Sequence, residues 1–171
     1  MIIRTTSAAA VIITLLMGCS SMSTQVDIEA QKAAVAQVID ASIGWADNKD
    51  KNLLFGIMAQ DTNFFMFNPD SRGTMIGFES FREHTESVFM HDAFKATRYE
   101  IRDLRVNLSQ SGEVAWWSCI LDDFGEWNGQ PYAWVNTRWT GVAEKRDGKW
   151  VITQMHFSFA SDAGSDNGDG A

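Results

Sequence analysis

The chain has 171 residues, a formal net charge of −8, seven Trp and eleven Phe. That is length for one domain with a real core, and the aromatic content excludes general disorder. An acidic chain without a basic cluster argues against a nucleic-acid binder, and two cysteines, Cys19 and Cys119, exclude a disulfide scaffold.

The first eighteen residues carry one basic residue, Arg4, and an apolar run, Ala8–Met17. The run is too short to span a bilayer and reads as a secretory signal. Leu16-Met17-Gly18-Cys19 resembles the bacterial lipobox. That resemblance implies cleavage before Cys19, lipidation of its thiol and a membrane anchor. Ser20, where an inner-membrane lipoprotein would carry Asp, points to the outer membrane facing the periplasm. Residues 19–25 then form a tether, 26–160 the domain, and 161–171 an acidic Asp/Gly/Ser tail.

Within the domain, apolar residues at Ile28, Val35, Val38, Ile39, Ile43 and Trp45 repeat at helical spacing. They predict a helix over Val26–Asn48, capped by Thr24 or Asp27. Asp50 caps a second helix, Lys51–Met58. Thr62–Phe67 reads as a strand, Asn68–Gly73 as a loop, Thr74–Ile76 as a short strand and Phe78–Phe89 as a third helix. In Phe94–Leu108 the alternation of apolar residues changes phase near Arg102-Asp103, which a β-bulge would produce. Glu113–Phe124, Pro131–Lys145 and Lys149–Phe159 complete the strands, with Asn128-Gly129 as a two-residue hairpin turn.

The last two strands carry polar side chains at period two: Asn136, Arg138 and Thr140, then Gln154, His156 and Ser158. Such a stripe suits the lining of a cavity. The Asn128-Gly129 turn sets Arg138 opposite Cys119. A three-residue turn, Arg146-Asp147-Gly148, sets Arg138 opposite His156 and is preferred over a two-residue turn at Asp147-Gly148, which sets it opposite Phe157. In that register Ala115, Trp117, Cys119 and Leu121 share the polar face. Val114, Trp116, Ile120, Val135, Trp139, Met155 and Phe157 fall on the other. With three helices to cover the polar face, the second face is left apolar and exposed, which predicts a homodimer through it.

The order helix–helix–strand–helix, then a bent sheet, resembles the nuclear transport factor 2-like superfamily. Thr137-Arg138-Trp139-Thr140, Asp147-Gly148-Lys149-Trp150 and His156-Phe157-Ser158 are similar to its SnoaL-like branch. The resemblance spans about Val26–Ala160. It implies an α+β cone, in which a curved, mostly antiparallel sheet has three N-terminal helices covering one face and enclosing a pocket. The superfamily mixes enzymes with non-catalytic binding domains, so fold alone does not name the activity. In the ketosteroid isomerase relatives the general base is an Asp before a Pro. The matching position here is Asn68, before Pro69, and an amide cannot serve as that base. The oxyanion-binding Tyr of those enzymes falls near Ser42. The resemblance therefore does not extend to ketosteroid isomerisation.

Two readings of Arg138 stand side by side: an anchor for a ligand's carboxylate, or a partner of Asp61, Asp123 or Glu144. His156 reads as a pocket wall or, with Arg138, as an acid/base group. Trp45, Phe64, Asn68, Tyr99, Trp117, Asn136 and Ser158 complete the expected ligand contacts. His84 and His91, with Glu83 and Asp92, lack the tight spacing of metal sites, so neither metal nor cofactor is expected. Asp122-Asp123 reads as solvated rim and Cys119 as an inert buried thiol. The leading expectation is a small-molecule-binding envelope lipoprotein whose ligand is partly apolar and, if Arg138 holds it, anionic. The alternatives are a cofactor-independent lyase, isomerase or hydrolase using His156 and Arg138, and a non-catalytic assembly module.

Overall fold

Asp27 ends the chain's approach to the first helix by accepting a hydrogen bond from the Ala30 amide (3.1 Å), which satisfies a donor the helix leaves unpaired. The helix, α1, runs Ile28–Gly44 and passes into a 3₁₀ turn, Trp45–Asp47. It buries Val35, Ile39 and Ser42. Asp50 caps α2, Lys51–Gly56, through the Leu53 amide. The third helix, α3, is Phe78–His84, and it widens into a π-helical turn, Thr85–Phe89. The structure is a computed structural model describing residues 27–70 and 73–160. The leader, Cys19, the tether and the acidic tail lie outside the described residues. Among the described residues no helix is long and apolar enough to cross a membrane.

Six strands follow the α+β expectation: β1 Phe65–Phe67, β2 Met75–Ile76, β3 Phe94–Leu108, β4 Val114–Trp127, β5 Gln130–Arg146 and β6 Lys149–Ser158. They form one sheet in the order β2-β1-β6-β5-β4-β3, antiparallel except where β1 runs parallel to β6. The helices cover one face.

The register corrects the sequence reading in three places. The β5–β6 turn has two residues, Asp147 and Gly148, both with positive φ (50° and 77°), so Arg146 pairs with Lys149. This is the turn whose twist matches the flanking strands. A bulge at Thr153 then shifts β6 by one, because Ala143 pairs with Ile152 but Val142 with Gln154. A second bulge lies in β5, where Trp134 pairs with Asp123 but Thr137 with Leu121, and Asn136 takes a left-handed φ of 54°. Arg138 consequently faces Ile120 and Ser158, not Cys119 or His156. The bulge expected in β3 is present, between Arg102 and Arg105, with Asp103 at φ 55°.

The bulges decide which residues are inside. Ala115, Trp117, Cys119 and Leu121 are buried on the helix-covered face, and so are Thr137, Trp139, Ala143, Ile152, Met155 and Phe157. Trp139 is fully buried, stacked on Phe157 (5.3 Å between centroids) and edge-on to Trp117 (5.9 Å). Gly141 makes room for Trp117, since a Cβ there would overlap the indole. The polar stripe of Arg138, Thr140 and His156 lies exposed on the opposite face.

Candidate functional site

At the end of the sheet near the β4–β5 turn, the helices stand off and leave a cavity of about 410 Å³. Its floor is Leu121, Met155 and Phe157. Trp45 and Ala46 enter from the 3₁₀ turn, Leu54 and Met58 from α2 and the residues after it, and Phe81, His84 and Phe89 from α3 and its π-helical extension. Phe94 and Ala96 come from the start of β3, and Asp123, Tyr132 and Trp134 from the two arms of the hairpin. The π turn adds a residue to the helix and so brings His84 and Phe89 edge to face, 5.2 Å apart, on the cavity side. The β5 bulge ends the inward run of Thr137 and Trp139 and restarts it at Trp134. Tyr132 then lies across Gly125, where a Cβ would come within 2.5 Å of its hydroxyl.

The cavity's polar groups are few. Burial pushes the Asp123 carboxyl up to about 6; the Phe124 amide opposes that shift and the Asp47 charge adds to it. Burial holds His84 below the ordinary histidine range, partly offset by the Asp70 charge. Burial, then the Asp123 charge, pushes the Tyr132 phenol up to about 12. Asn68 and Asp70 come from the loop after β1, and Gly73 from its far side. Ser42 also reaches the lining, with its hydroxyl donating to the Ile39 carbonyl (2.7 Å). No arginine or lysine is among the described lining residues. Among the described residues no group of three or more His, Cys, Asp or Glu is placed to hold a metal ion.

The SnoaL-like domain model matches residues 35–162. The chain belongs to the SnoaL-like family. No curated protein matches it. Solved structures place the fold in the nuclear transport factor 2-like group. A superfamily protein from Salmonella enterica serovar Typhimurium is 19% identical, with 82% of this chain and 99% of that one covered and a TM-score of 0.69. A protein of unknown function from Pseudomonas putida is 17% identical over 78% and 89%, with a TM-score of 0.61. The association domain of C. elegans CaMKII is 18% identical over 77% and 98%, with a TM-score of 0.58.

Against this SnoaL-like frame, two of the expected ligand contacts, Trp45 and Asn68, line the cavity. Asn68 and Ser42, the positions matched to an isomerase base and oxyanion donor, are both in its wall, and neither is an acid or a phenol. Phe64 is core, packed on Phe81 at 5.0 Å, and Trp117 is core beside Trp139. Tyr99 donates to Asp40 (3.0 Å) outside the cavity. Asn136 sits on the outer bulge, where its amide N–H and the Arg102 guanidinium both bind Asp122. Arg138 and His156 are exposed on the outer face, and Ser158 is half-buried there. Asp61 and Glu144 are paired, but with Arg146; Arg138 makes no ion pair among the described residues.

Asp123, expected from the sequence at a solvated rim, lines the cavity instead. It continues the alternation Ala115, Trp117, Cys119, Leu121 inward. The signal was present in the strand's own parity. His84 follows Phe81 by three residues and so shares its helix face.

Proposed function

We propose that this chain is an envelope lipoprotein, anchored through Cys19 and facing the periplasm from the outer membrane, whose SnoaL-like domain binds a small, largely apolar molecule. The observation that carries the binding reading is the cavity of about 410 Å³, within the range of small-molecule sites and lined chiefly by Trp, Phe, Met and Leu. Arg138, the reason to expect an anionic ligand, stands on the outer face, and no arginine or lysine is among the described lining residues. That outer face supports a homodimer reading. Trp116, Val135 and Phe67 remain between 44% and 47% exposed there, interleaved with Arg138, Thr140 and His156.

One observation favours a second, enzymatic reading. Asp123, shifted up, and His84, shifted down, both line one cavity, and perturbed titratable groups in a cleft are candidates for acid/base work. A cofactor-independent lyase, isomerase or hydrolase would use these two rather than His156 and Arg138, which do not line the cavity.

Native mass spectrometry of the chain purified from its source cell tests the binding reading. A retained small molecule that is lost in Ala96→Trp, which fills the cavity, supports it. A chain that carries nothing and takes up nothing from a metabolite library contradicts it.

A further inference from the structure

The walls of the cavity restrict the charge of what fills it. Indole and phenyl faces are negative at their centres and attract cations. Trp45, Phe94, Trp134 and Phe157 line the cavity from four separate elements, one face of Phe157 being stacked on Trp139. Asp123 is in the lining, and Asp47, two residues after Trp45, adds a charge felt at Asp123. Lys49 lies with its ammonium 5.8 Å from the Phe94 centroid, and the His91 carbonyl holds it at 2.7 Å. Asp123 itself makes no ion pair among the described residues. A carboxylate in a largely apolar lining with no ion-pair partner is costly, and a ligand that brings the cation removes that cost.

We propose that the cavity takes an organic amine, with its ammonium group set against Asp123 and its hydrocarbon or aromatic body among Trp45, Phe94, Trp134 and Phe157. The proposal rests on the small-molecule-binding reading and adds the chemical class of the ligand. A carboxylate ligand would meet the Asp123 charge. An uncharged ligand would fill the apolar body of the cavity and leave Asp123 without a counter-charge.

Three probes with one shared body separate these cases: 4-phenylbutylamine, 4-phenylbutanol and 4-phenylbutyrate. Each is titrated at pH 7.5 against the chain loaded with N-phenyl-1-naphthylamine, an uncharged dye whose emission reports displacement. The amine is expected to displace the dye at about one tenth the concentration the alcohol needs, with the carboxylate weakest. Asp123→Asn is expected to bring the amine to the alcohol's level. Asp47→Asn, an exposed position, is expected to reduce the same preference by a smaller factor. An alcohol or carboxylate that displaces the dye as well as the amine overturns the amine proposal and leaves the binding reading standing. A chain that binds neither dye nor probe overturns both.

Discussion

Residues 138 and 139 are neighbours on β5, one on each face of the sheet. Trp139 is fully buried between Phe157 and Trp117, on the face the helices cover. Arg138 points the other way, exposed between Ile120 and Ser158. The inner face is nearly all apolar and the outer face mixes Trp116 and Val142 with Arg138, Thr140 and His156. Polar residues at period two therefore mark the outer surface here. The cavity arises elsewhere, at the hairpin tip, where the covering helices leave a gap and Asp123 follows the apolar row inward.

The sharpest break of that contrast is Trp139→Ala against Arg138→Ala. The first is expected to destabilise the fold by about 3–5 kcal/mol, as for other large-to-small core changes, and the second by about 0.5 kcal/mol or less. Urea denaturation of both variants reads the difference. A smaller loss for Trp139 than for Arg138 would invert the assignment of faces. Next in size is Asp123. Its folded pKa, about 6, lies above the usual carboxyl value of 3.8, so the folded state holds the proton more tightly. The stability this contributes is full below pH 3.8 and is lost as pH rises through 6. The loss is at most about 3 kcal/mol. The difference in unfolding free energy between Asp123→Asn and the parent should therefore grow in the variant's favour from pH 4 to pH 7; a difference that stays flat with pH would place Asp123 in water.

Gly141→Ala sharpens the packing side of the comparison. The new Cβ meets the Trp117 ring, and overpacking of this kind costs about 1–3 kcal/mol. Its urea midpoint should fall, and Gly141→Ala combined with Trp117→Phe should recover part of the loss. The smallest effect on stability is expected at Trp116, 47% exposed on the outer face. Trp116→Glu should change the unfolding free energy by about 0.5 kcal/mol or less and, where that face joins two copies, halve the mass seen by light scattering. An unchanged dimer mass would move the interface elsewhere.

How much of this was legible in the sequence follows from the bulges. Element type was readable because helices and strands here carry clean periods, and the bulge in β3 announced itself as a phase change. The same signal existed in β6, where the inward residues step from Ile152 to Met155, and in β5, where they step from Trp134 to Thr137. A strand with one buried face cannot change parity without an extra residue. Reading the polar residues instead of the apolar ones hid both bulges and, with them, the true position of Arg138 and His156. The π turn after α3 and the aromatic gap at the hairpin tip depend on contacts between elements far apart in sequence, which no local pattern states.

The measurement that bears most directly on the account is binding of N-phenyl-1-naphthylamine to two variants, Ala96→Trp in the cavity and the double variant Arg138→Ala, His156→Ala on the outer face. Loss of binding is expected in the first and parent-like affinity in the second. Retained binding in Ala96→Trp together with loss in the double variant would place the ligand on the outer face and contradict it.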